Sequence, residues 1–443
     1  MKVNKARLNA GRLLMLLPRA GNSRLFHFVA VLVLLGMTAA LRAAPTTQAA
    51  ATDWPMWRGP HGNGQSDETA VPTHFSATEN IAWQVSIPGT GHSSPVVSGE
   101  RIFLTTALEA ENRRVLVCLN RADGRILWQQ DVIKVPLEHK NKLNSYASAT
   151  PAADGRHVFV SFFGQPEIVI VCFDLEGNEI WRKVPGTFSS VHGFCSSPVL
   201  YKDTVILNCD QDAAPSAQAF IVALDREDGR EKWRIDRPNR TRSYVTPMIA
   251  ELAGKTQMLL SGSKCVTSYD PDTGKLFWIV DGPTEQMVAS LVTTDGVVFV
   301  TGGFPQHHLL GIDPSGSGDV THSHVLWHDY RPVSYVPSPI AHGHWFYVVS
   351  DDGQCGCFEA KTGQLMWKQR LGLHHSASAV SAGDDLYFTS DAGETFVVKG
   401  TDKYELVSKN DLGEDVRASP AISRGQIFIR SVGHLFCIGK PGI

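Results

Sequence analysis

Short runs of β-branched and aromatic residues recur along the chain from about residue 80 onward, each bounded by turns rich in glycine, aspartate and serine. Many have consecutive apolar positions and do not alternate strictly with polar ones, as in RIFLTT (101–106), HVFVSF (157–162) and VVFVTG (297–302). Apolar runs of this length between turn signals indicate strands that are covered on both faces. The pattern therefore predicts an all-β fold.

A tryptophan marks the end of every unit of this pattern but one, in which residues 404–407 occupy the slot. The sequence G-x-x-x-W occurs five times, at Gly124–Trp128, Gly177–Trp181, Gly229–Trp233, Gly274–Trp278 and Gly363–Trp367. Trp327, behind a Gly- and Ser-rich insertion at 313–320 that is predicted to be a loop, and Trp83, without the glycine, occupy the same slot. Successive tryptophans lie 40–53 residues apart. A period of this length is typical of propellers and solenoids. We interpret the repeated tryptophans as packing between repeats.

A run of small residues, usually ending in proline, precedes the first strand of every repeat. The copies are SSPVV (93–97), SATPA (148–152), SSPVL (196–200), VTPMI (245–249), ASLVT (289–293), SPIAH (338–342), ASAVS (377–381) and SPAIS (419–423). Each repeat then reads as a four-stranded antiparallel meander, which buries both faces only when several pack around a ring. The sequence predicts an eight-bladed β-propeller over 80–443. Its last blade has three strands, and residues 80–85 with Trp83 are expected to supply the fourth and close the ring.

The N-terminal 44 residues are predicted to be a secretory signal or a membrane anchor. An apolar stretch, 25–41, follows a basic flank and precedes small residues that offer cleavage sites. That stretch is also close to the length that spans a bilayer, so an uncleaved inner-membrane anchor is the alternative. The basic flank is long, and translation could start at Met15. We expect an exported protein, periplasmic or extracellular, with residues 45–79 as an extended leader that packs on the propeller.

The charge balance changes once this segment is set aside. The formal charge is −3 overall, but residues 1–44 hold seven of the 41 Lys and Arg residues and no acidic one. The remainder carries 34 basic against 44 acidic residues, a formal charge of −10. A general nucleic-acid binder needs a basic surface, so nucleic acid is not an expected partner.

The eight cysteines give no clear redox signal. Cys118 and Cys357 stand six residues before a turn glycine, where other repeats carry alanine or serine, which predicts a buried small-residue slot. Cys195 and Cys209 are placed to face each other across a hairpin, where a disulfide is one interpretation. The CGC sequence at 355–357 has no partner motif at zinc-site spacing.

The repeats resemble the pyrroloquinoline-quinone (PQQ) repeat family, most closely in IVALDREDGREKW (221–233) and SYDPDTGKLFW (268–278). The resemblance covers about residues 80–443 and implies an eight-bladed propeller. Within this family it favours the non-catalytic BamB-like envelope propellers, which serve as docking surfaces, over the quinoprotein alcohol dehydrogenases. The dehydrogenases hold PQQ and Ca²⁺ above the funnel, use a carboxylate base and carry two adjacent cysteines. This chain has no adjacent cysteine pair, and no catalytic residue is assigned.

The funnel mouth, where the innermost strands begin, is the predicted binding surface. Aligning the small-residue motifs places a mixed ring of aromatic and cationic residues there: His92, Tyr146, Phe194, Arg242, Tyr244, Met287, Tyr335, His374, His375 and Arg417. Such a ring suits an anionic or planar ligand or a peptide. The alternative is that these side chains only fill and hydrate the channel.

Two further groups invite a functional hypothesis and a structural alternative. Histidines are dense in blades 5 and 6 (His307, His308, His322, His324, His328, His342 and His344), with His322 and His324 expected on one face of a strand. No third ligand stands at defined spacing, so we predict solvated histidines and no metal site. Trp54 and Trp57 in the leader sequence WPMWRGPHGNG are predicted to lie over one face of the propeller, with a partner-binding anchor as the alternative.

Three functions remain open, because one propeller fold hosts many activities. We favour a non-catalytic, monomeric scaffold that binds protein partners at the cell envelope without a cofactor. The alternatives are a PQQ-dependent oxidoreductase with Ca²⁺ and a propeller that binds a small ligand or glycan.

Overall fold

The computed structural model describes residues 52–212, 219–237, 239, 241–331 and 334–440. The predicted signal or anchor at 1–44 lies outside the described residues, as does the start of the leader. The one helix in the described part is a single 3₁₀ turn, Glu109–Glu111. No described helix is long and apolar enough to cross a membrane.

Eight sheets, each with four antiparallel strands and two of them with a short parallel fifth strand (Gln65–Ser66 or Gly318–Asp319), follow one another along the chain and confirm the predicted β-propeller. We call them blades 1 to 8. Blade 1 consists of Val96–Ser98, Arg101–Leu108, Arg113–Asn120 and Ile126–Lys134, and blade 2 of Ala152–Ala153, His157–Gly164, Glu167–Asp174 and Glu179–Thr187. Blade 3 consists of Val199–Tyr201, Thr204–Cys209, Phe220–Asp225 and Glu231–Asp236, and blade 4 of Met248–Leu252, Lys255–Gly262, Cys265–Tyr269 and Leu276–Asp281.

Blades 5 to 8 repeat the pattern with shorter strands. Blade 5 consists of Val292–Thr294, Val297–Gly302, His308–Ile312 and Val325–Asp329, and blade 6 of Ile340–His342, Trp345–Val349, Gln354–Glu359 and Leu365–Arg370. Blade 7 consists of Val380–Ala382, Asp385–Thr389, Glu394–Lys399 and Leu406–Asp411. Blade 8 consists of Ala421–Ser423, Gln426–Arg430, His434–Ile438 and, as its fourth strand, Ile81–Ser86. The first strand of each blade is the innermost and the fourth is the outermost.

The ring closes as the sequence predicts. Ile81–Ser86 pairs antiparallel with His434–Ile438, with Trp83 opposite Cys437. The N-terminal strand thus completes blade 8 and covers the sheet edge that three C-terminal strands alone would leave exposed.

Each repeated tryptophan stands opposite a small residue on the neighbouring strand, which confirms the predicted slot. The pairs are Trp128 with Cys118, Trp181 with Cys172, Trp233 with Ala223, Trp278 with Ser268, Trp327 with Gly311, Trp367 with Cys357 and Trp83 with Cys437. At Gly311 an added Cβ would overlap the Trp327 indole. The small residue therefore leaves the space that the indole ring fills.

The tryptophan indoles also connect neighbouring blades. Six donate Nε1–H to a backbone carbonyl just after the third strand of the next blade: Trp83 to Arg121, Trp128 to Leu175, Trp181 to Arg226, Trp233 to Pro271, Trp327 to Ala360 and Trp367 to Thr401. The distances are 2.8–3.2 Å. Trp278 instead donates to Gln257 of its own blade. These indoles satisfy their polar group while packing against an apolar neighbour, which is the preferred setting of a buried tryptophan.

Two sequence interpretations need correction. His322 and His324 do not share a strand face, because residues 321–324 form a turn and the strand begins at Val325. The Gly- and Ser-rich insertion is not wholly a loop, since Gly318–Asp319 pairs in parallel with the outermost strand of blade 4. The chain covers that exposed strand edge with its own insertion.

All eight cysteines are free thiols, so Cys195 and Cys209 do not form the disulfide considered from the sequence. Seven are buried, and Cys195 alone is partly exposed. Burial raises the pKa of the Cys195 thiol to about 12, so its reactive thiolate form is scarce at neutral pH.

Candidate binding faces of the propeller

The antiparallel order of the strands sorts all loops onto two faces. The innermost strands begin on one face, where the hairpins between second and third strands and the connections between blades also lie. We call this the upper face. The hairpins between first and second strands, and between third and fourth strands, lie on the opposite or lower face. The predicted funnel mouth belongs to the upper face.

A belt of hydroxyl groups surrounds the channel just inside the upper face. Each blade has a serine or threonine at one equivalent position: Ser94, Thr150, Ser197, Thr246, Ser290, Ser338, Ser378 and Ser419. Six of these residues donate their backbone N–H to the hydroxyl of the next belt residue: Ser94, Thr150, Ser197, Ser290, Ser338 and Ser378. The distances are 2.9–3.0 Å. The belt therefore ties consecutive innermost strands to each other.

The predicted mouth residues of blades 3 and 4 are tied to neighbouring loops. Tyr244 is buried, and its hydroxyl lies 3.0 Å from the Ser190 hydroxyl. Burial raises the pKa of Tyr244. Arg242 forms an ion pair of 2.6 Å with Asp212. Phe194 packs edge-on against Phe188 within the apolar core shared by blades 2 and 3.

The residues of blades 1, 2 and 8 form a cationic side of the mouth. His92 is half-buried, and its pKa is lowered to about 4, first by burial and then by the charges of Arg430, Arg417 and Lys140. The Lys140 ammonium lies 4.8 Å from the centre of the Tyr146 ring. Arg417 donates to the Asp391 carbonyl and pairs with Asp415 at 3.1 Å. At neutral pH the imidazole of His92 is uncharged among these cations.

The remaining mouth residues lie in blades 5 to 7. Tyr335 is half-buried, and burial followed by the charge of Asp351 raises its pKa to about 12. His375 is 2% exposed, and neither ring nitrogen has a hydrogen-bond partner among the described residues. Its pKa is lowered to about 4, chiefly by burial. Met287 is fully buried, whereas the exposed His374 has Nδ1 3.3 Å from the Asp351 carbonyl.

The carboxylates near the mouth do not fit a calcium-bound quinone. Asp351 accepts the backbone N–H groups of Tyr335 and Val336, and Asp391 accepts from Ser376 and lies 3.5 Å from Arg417. Both oxygens of Asp351 and Oδ2 of Asp391 are thus engaged by the protein, whereas Asp391 Oδ1 is buried and has no hydrogen-bond partner among the described residues. In the described ranges no three His, Cys, Asp or Glu side chains converge as metal ligands would. Ca²⁺ takes about six to eight oxygen ligands, and the free Asp391 Oδ1 would supply one of them.

The histidines of blades 5 and 6 form pairs instead. His308 Nδ1 lies 2.8 Å from His328 Nε2, and the exposed Tyr330 ring stacks on His328 at 4.6 Å. His342 pairs with Asp384 at 3.2 Å, and His344 pairs with Asp295. His308 is buried and not solvated as the sequence predicts, and its Nε2 has no hydrogen-bond partner among the described residues.

The leader crosses the lower face and contacts the innermost strands there. Trp54 exchanges two backbone hydrogen bonds with Val97 of blade 1, and the Trp57 indole donates to the belt hydroxyl of Ser290 at 3.1 Å. Arg58 is buried, donates to the carbonyls of Asn63 and Pro339, and has no carboxylate partner in the described part of the chain. Burial lowers its pKa to about 9.

A cavity of about 400 Å³ lies beside the leader on the lower face. Its walls are the leader, including Met56 and Trp57, and the innermost strands of blades 3, 4 and 5. Tyr201, Ile249 and Glu251 contribute to the strand side. The molecule thus offers two binding candidates, the mouth above and this cavity below.

Comparison with known proteins identifies the family. The family model described as outer membrane protein assembly factor BamB matches residues 74–142, 111–369 and 351–437, which together span most of the chain. The chain belongs to the BamB family.

Two curated BamB proteins are similar to this chain. The outer membrane protein assembly factor BamB of Yersinia pestis is 21% identical over 378 residues, which is 82% of this chain and 88% of that protein. The BamB of Shewanella oneidensis is 20% identical over 219 residues, 47% of this chain and 53% of that protein.

The solved structures of a BamB protein and of two dehydrogenases share this fold. BamB from Moraxella catarrhalis has a TM-score of 0.54 at 12% identity, over 80% of this chain and 96% of that one. Quinohemoprotein alcohol dehydrogenase from Comamonas testosteroni has a TM-score of 0.64 at 12% identity, over 89% of this chain and 82% of that one. A europium-containing methanol dehydrogenase has a TM-score of 0.62 at 13% identity, over 87% of this chain and 91% of that one. At these identities the likeness shows the fold alone.

Two features of this BamB-family chain are not predicted from its sequence. The first is the hydroxyl belt, which appears in the sequence only as the repeated run of small residues. The sequence does not show which hydroxyl accepts a hydrogen bond from which blade. The second is a set of large apolar side chains exposed on upper-face loops: Leu143, Val191, Phe304, Tyr330, Leu373 and Val432, which are 50–69% exposed. Scattered loop residues acquire a common face only once the strand order is known.

Proposed function

We propose that this chain is an exported, non-catalytic scaffold that docks a protein partner in outer membrane protein assembly. Membership of the BamB family supports a role in outer membrane protein assembly. Asp351, Asp391 and Asp212 each have protein partners, and Asp391 alone among the three keeps one oxygen without a described partner, which supports a binding role rather than chemistry.

The exposed apolar residues of the upper face carry this proposal. Phe304, Tyr330, Leu373 and Val432 lie on the loops of blades 5 to 8, and Leu143 and Val191 lie before blades 2 and 3. Large apolar side chains rimmed by polar loops are typical of protein interaction surfaces. The leader crosses the lower face, so the upper face is the broader open surface for a partner.

Charge substitution on this face tests the proposal. The variant Leu373→Asp/Val432→Asp in the tagged full chain should lose co-purification with outer membrane protein assembly components from solubilised envelopes. The matched control is Leu127→Asp/Leu406→Asp, which places the same charges at exposed positions of outermost strands. Equal recovery with both variants would contradict docking through the upper face.

We further propose that the chain acts without a cofactor, with the PQQ-dependent oxidoreductase as the alternative that the shared fold raises. Titration of the purified protein with PQQ and Ca²⁺, coupled to alcohol-dependent dye reduction, separates the two. We expect no saturable binding. Binding with turnover would establish the oxidoreductase, and binding of a glycan or another small ligand at the mouth would favour a ligand carrier.

Export and oligomeric state belong to the same proposal. We expect the protein in the periplasmic or extracellular fraction, released if the N-terminal segment is cleaved and held at the inner membrane if it is not. Light scattering of the purified protein should give the mass of a monomer.

A further inference from the structure

The innermost strands of all eight blades have one edge that faces the channel. In a hairpin with a two-residue turn, the residues that flank the turn exchange hydrogen bonds, the next pair does not, and the pattern then alternates. In blade 1 Ser98 and Arg101 flank the turn, so the peptide N–H and C=O of Val97 point away from the blade. We call Val97 and its equivalents the inner-edge positions.

The leader itself shows that the inner-edge positions bind extended chain. Val97 exchanges two hydrogen bonds with Trp54, Ala153 of blade 2 donates to Pro55, and Ser381 of blade 7 donates to Gly64. The distances are 2.7–3.0 Å. At blade 6 the Gln65 amide donates to the Ala341 carbonyl. The same peptide groups that strand geometry predicts to be free are therefore the ones that the leader uses.

Three neighbouring blades lack such a partner. Their inner-edge positions are Leu200 in blade 3, Glu251 in blade 4 and Thr293 in blade 5, because Tyr201, Leu252 and Thr294 flank the turns. Within the part of the chain that the structure describes, no backbone hydrogen bond or strand pairing reaches their outward groups. All three residues line the 400 Å³ cavity beside the leader.

Blade 4 is the best placed of the three to accept another strand. Its innermost strand, Met248–Leu252, has five residues, whereas those of the other blades have two or three. Counting from the turn, the outward peptide groups are those of Glu251 and Ile249. Two residues at alternate positions offer two donors and two acceptors, which is the pattern that an added β-strand uses.

The cavity supplies the side-chain half of the site. Met56, Trp57 and Tyr201 line it, and each is partly exposed. Ligand pockets range from about 300 to 1,000 Å³, so this cavity is at the small end and suits one or two side chains. We propose that the lower face binds an extended peptide, which adds as a strand to Met248–Leu252 and places an apolar or aromatic side chain between the leader and blades 3 and 4. This inference does not depend on partner docking at the upper face.

A proline substitution tests the added strand directly. Ile249→Pro removes an outward N–H and no hydrogen bond of the blade, and proline is tolerated on edge strands. Ile249→Val is the matched control, because it shortens the side chain and keeps the N–H. The probe is a fluorescein-labelled peptide, Thr-Val-Thr-Phe-Thr-Val-Thr, and its twin with N-methylated backbone on the donors, measured by anisotropy with the purified full chain.

We expect saturable binding to the wild type and to Ile249→Val, at least fivefold weaker binding to Ile249→Pro, and no binding of the N-methylated twin. Absence of saturable binding to the wild type, equal affinity of Ile249→Pro, or equal binding of the twin would each overturn the proposal. If Ile249→Pro fails to fold, hydrogen exchange of the wild type decides: the peptide should slow exchange at the amides of Ile249 and Glu251, and unchanged rates there would overturn it.

Discussion

Removal of one belt hydroxyl tests whether the belt stabilises the ring. In Ser378→Ala the Ser338 N–H loses its acceptor, which now lies at 2.9 Å, while both residues are about 2% exposed. A buried donor left without a partner costs about 1–3 kcal/mol. At about 2.1 cal/mol/K per residue over roughly 390 residues, that lowers Tm by about 1–4 °C. Ser378 keeps its own N–H bond to Ser419, so only one contact is lost.

Ser94→Ala is the matched control for this experiment. Ser94 holds the same belt position and is equally buried, but its hydroxyl has no hydrogen-bond partner among the described residues. Its removal should change the free energy of unfolding by less than about 0.5 kcal/mol, as for substitutions that break no such contact. Denaturant unfolding followed by circular dichroism gives both values. Equal losses in the two variants would refute the reasoning, because the cost would then follow the deleted atom and not the orphaned N–H.

Three other predictions follow from burial and packing. Gly311→Ala should destabilise the protein by about 1–3 kcal/mol in denaturant unfolding, because the new Cβ overlaps Trp327, whereas Cys118→Ala in the equivalent slot of blade 1 should cost less. A thiol reagent at pH 8 should modify no cysteine of the native protein except, slowly, Cys195, and all eight after unfolding; rapid native labelling elsewhere would contradict the burial. The pKa of His375 falls from its ordinary 6.5 to about 4 on folding, because the buried imidazole is held in its neutral form. The resulting contribution to stability, on the order of 3 kcal/mol, is fully present above pH 6.5 and is lost as the pH falls toward 4. His375→Gln should flatten this part of the pH–stability curve.

The blade count and the ring closure are predictable from the sequence because they rest on spacing. A small-residue motif in every repeat and a tryptophan in seven of them define eight units, and a three-stranded last blade requires a strand from elsewhere. Trp83, in the tryptophan slot of residues 80–85, identifies that strand, and its pairing with Cys437 confirms the assignment. The cysteine slot is predictable in the same way, since a large indole needs a small neighbour.

The sequence is less informative about loops. Mouth positions are assigned by aligning motifs whose preceding loops differ in length, and a shift of one residue turns a strand side chain to the opposite side. Phe194 and Tyr244 illustrate this, because both are assigned to the mouth by the same alignment. Phe194 packs into the apolar core, whereas the Tyr244 hydroxyl contacts the Ser190 hydroxyl of a loop. The path of the leader is equally hidden, since its contacts with Val97 and Ser381 join residues far apart in the chain.

Fold similarity does not choose between scaffold and enzyme for this chain. The dehydrogenases give TM-scores of 0.62–0.64 and BamB gives 0.54, all at 12–13% identity. Such values measure the number and tilt of the blades, which both groups share. The choice rests on local chemistry: both oxygens of Asp351 accept backbone N–H groups, and Asp391 Oδ2 binds Ser376 and Arg417 while its Oδ1 has no described partner. The inner edges of blades 3 to 5, in turn, keep peptide groups unpaired by any described residue. Carboxylates held by the protein favour structure over catalysis, and unpaired strand edges favour the binding of extended chain.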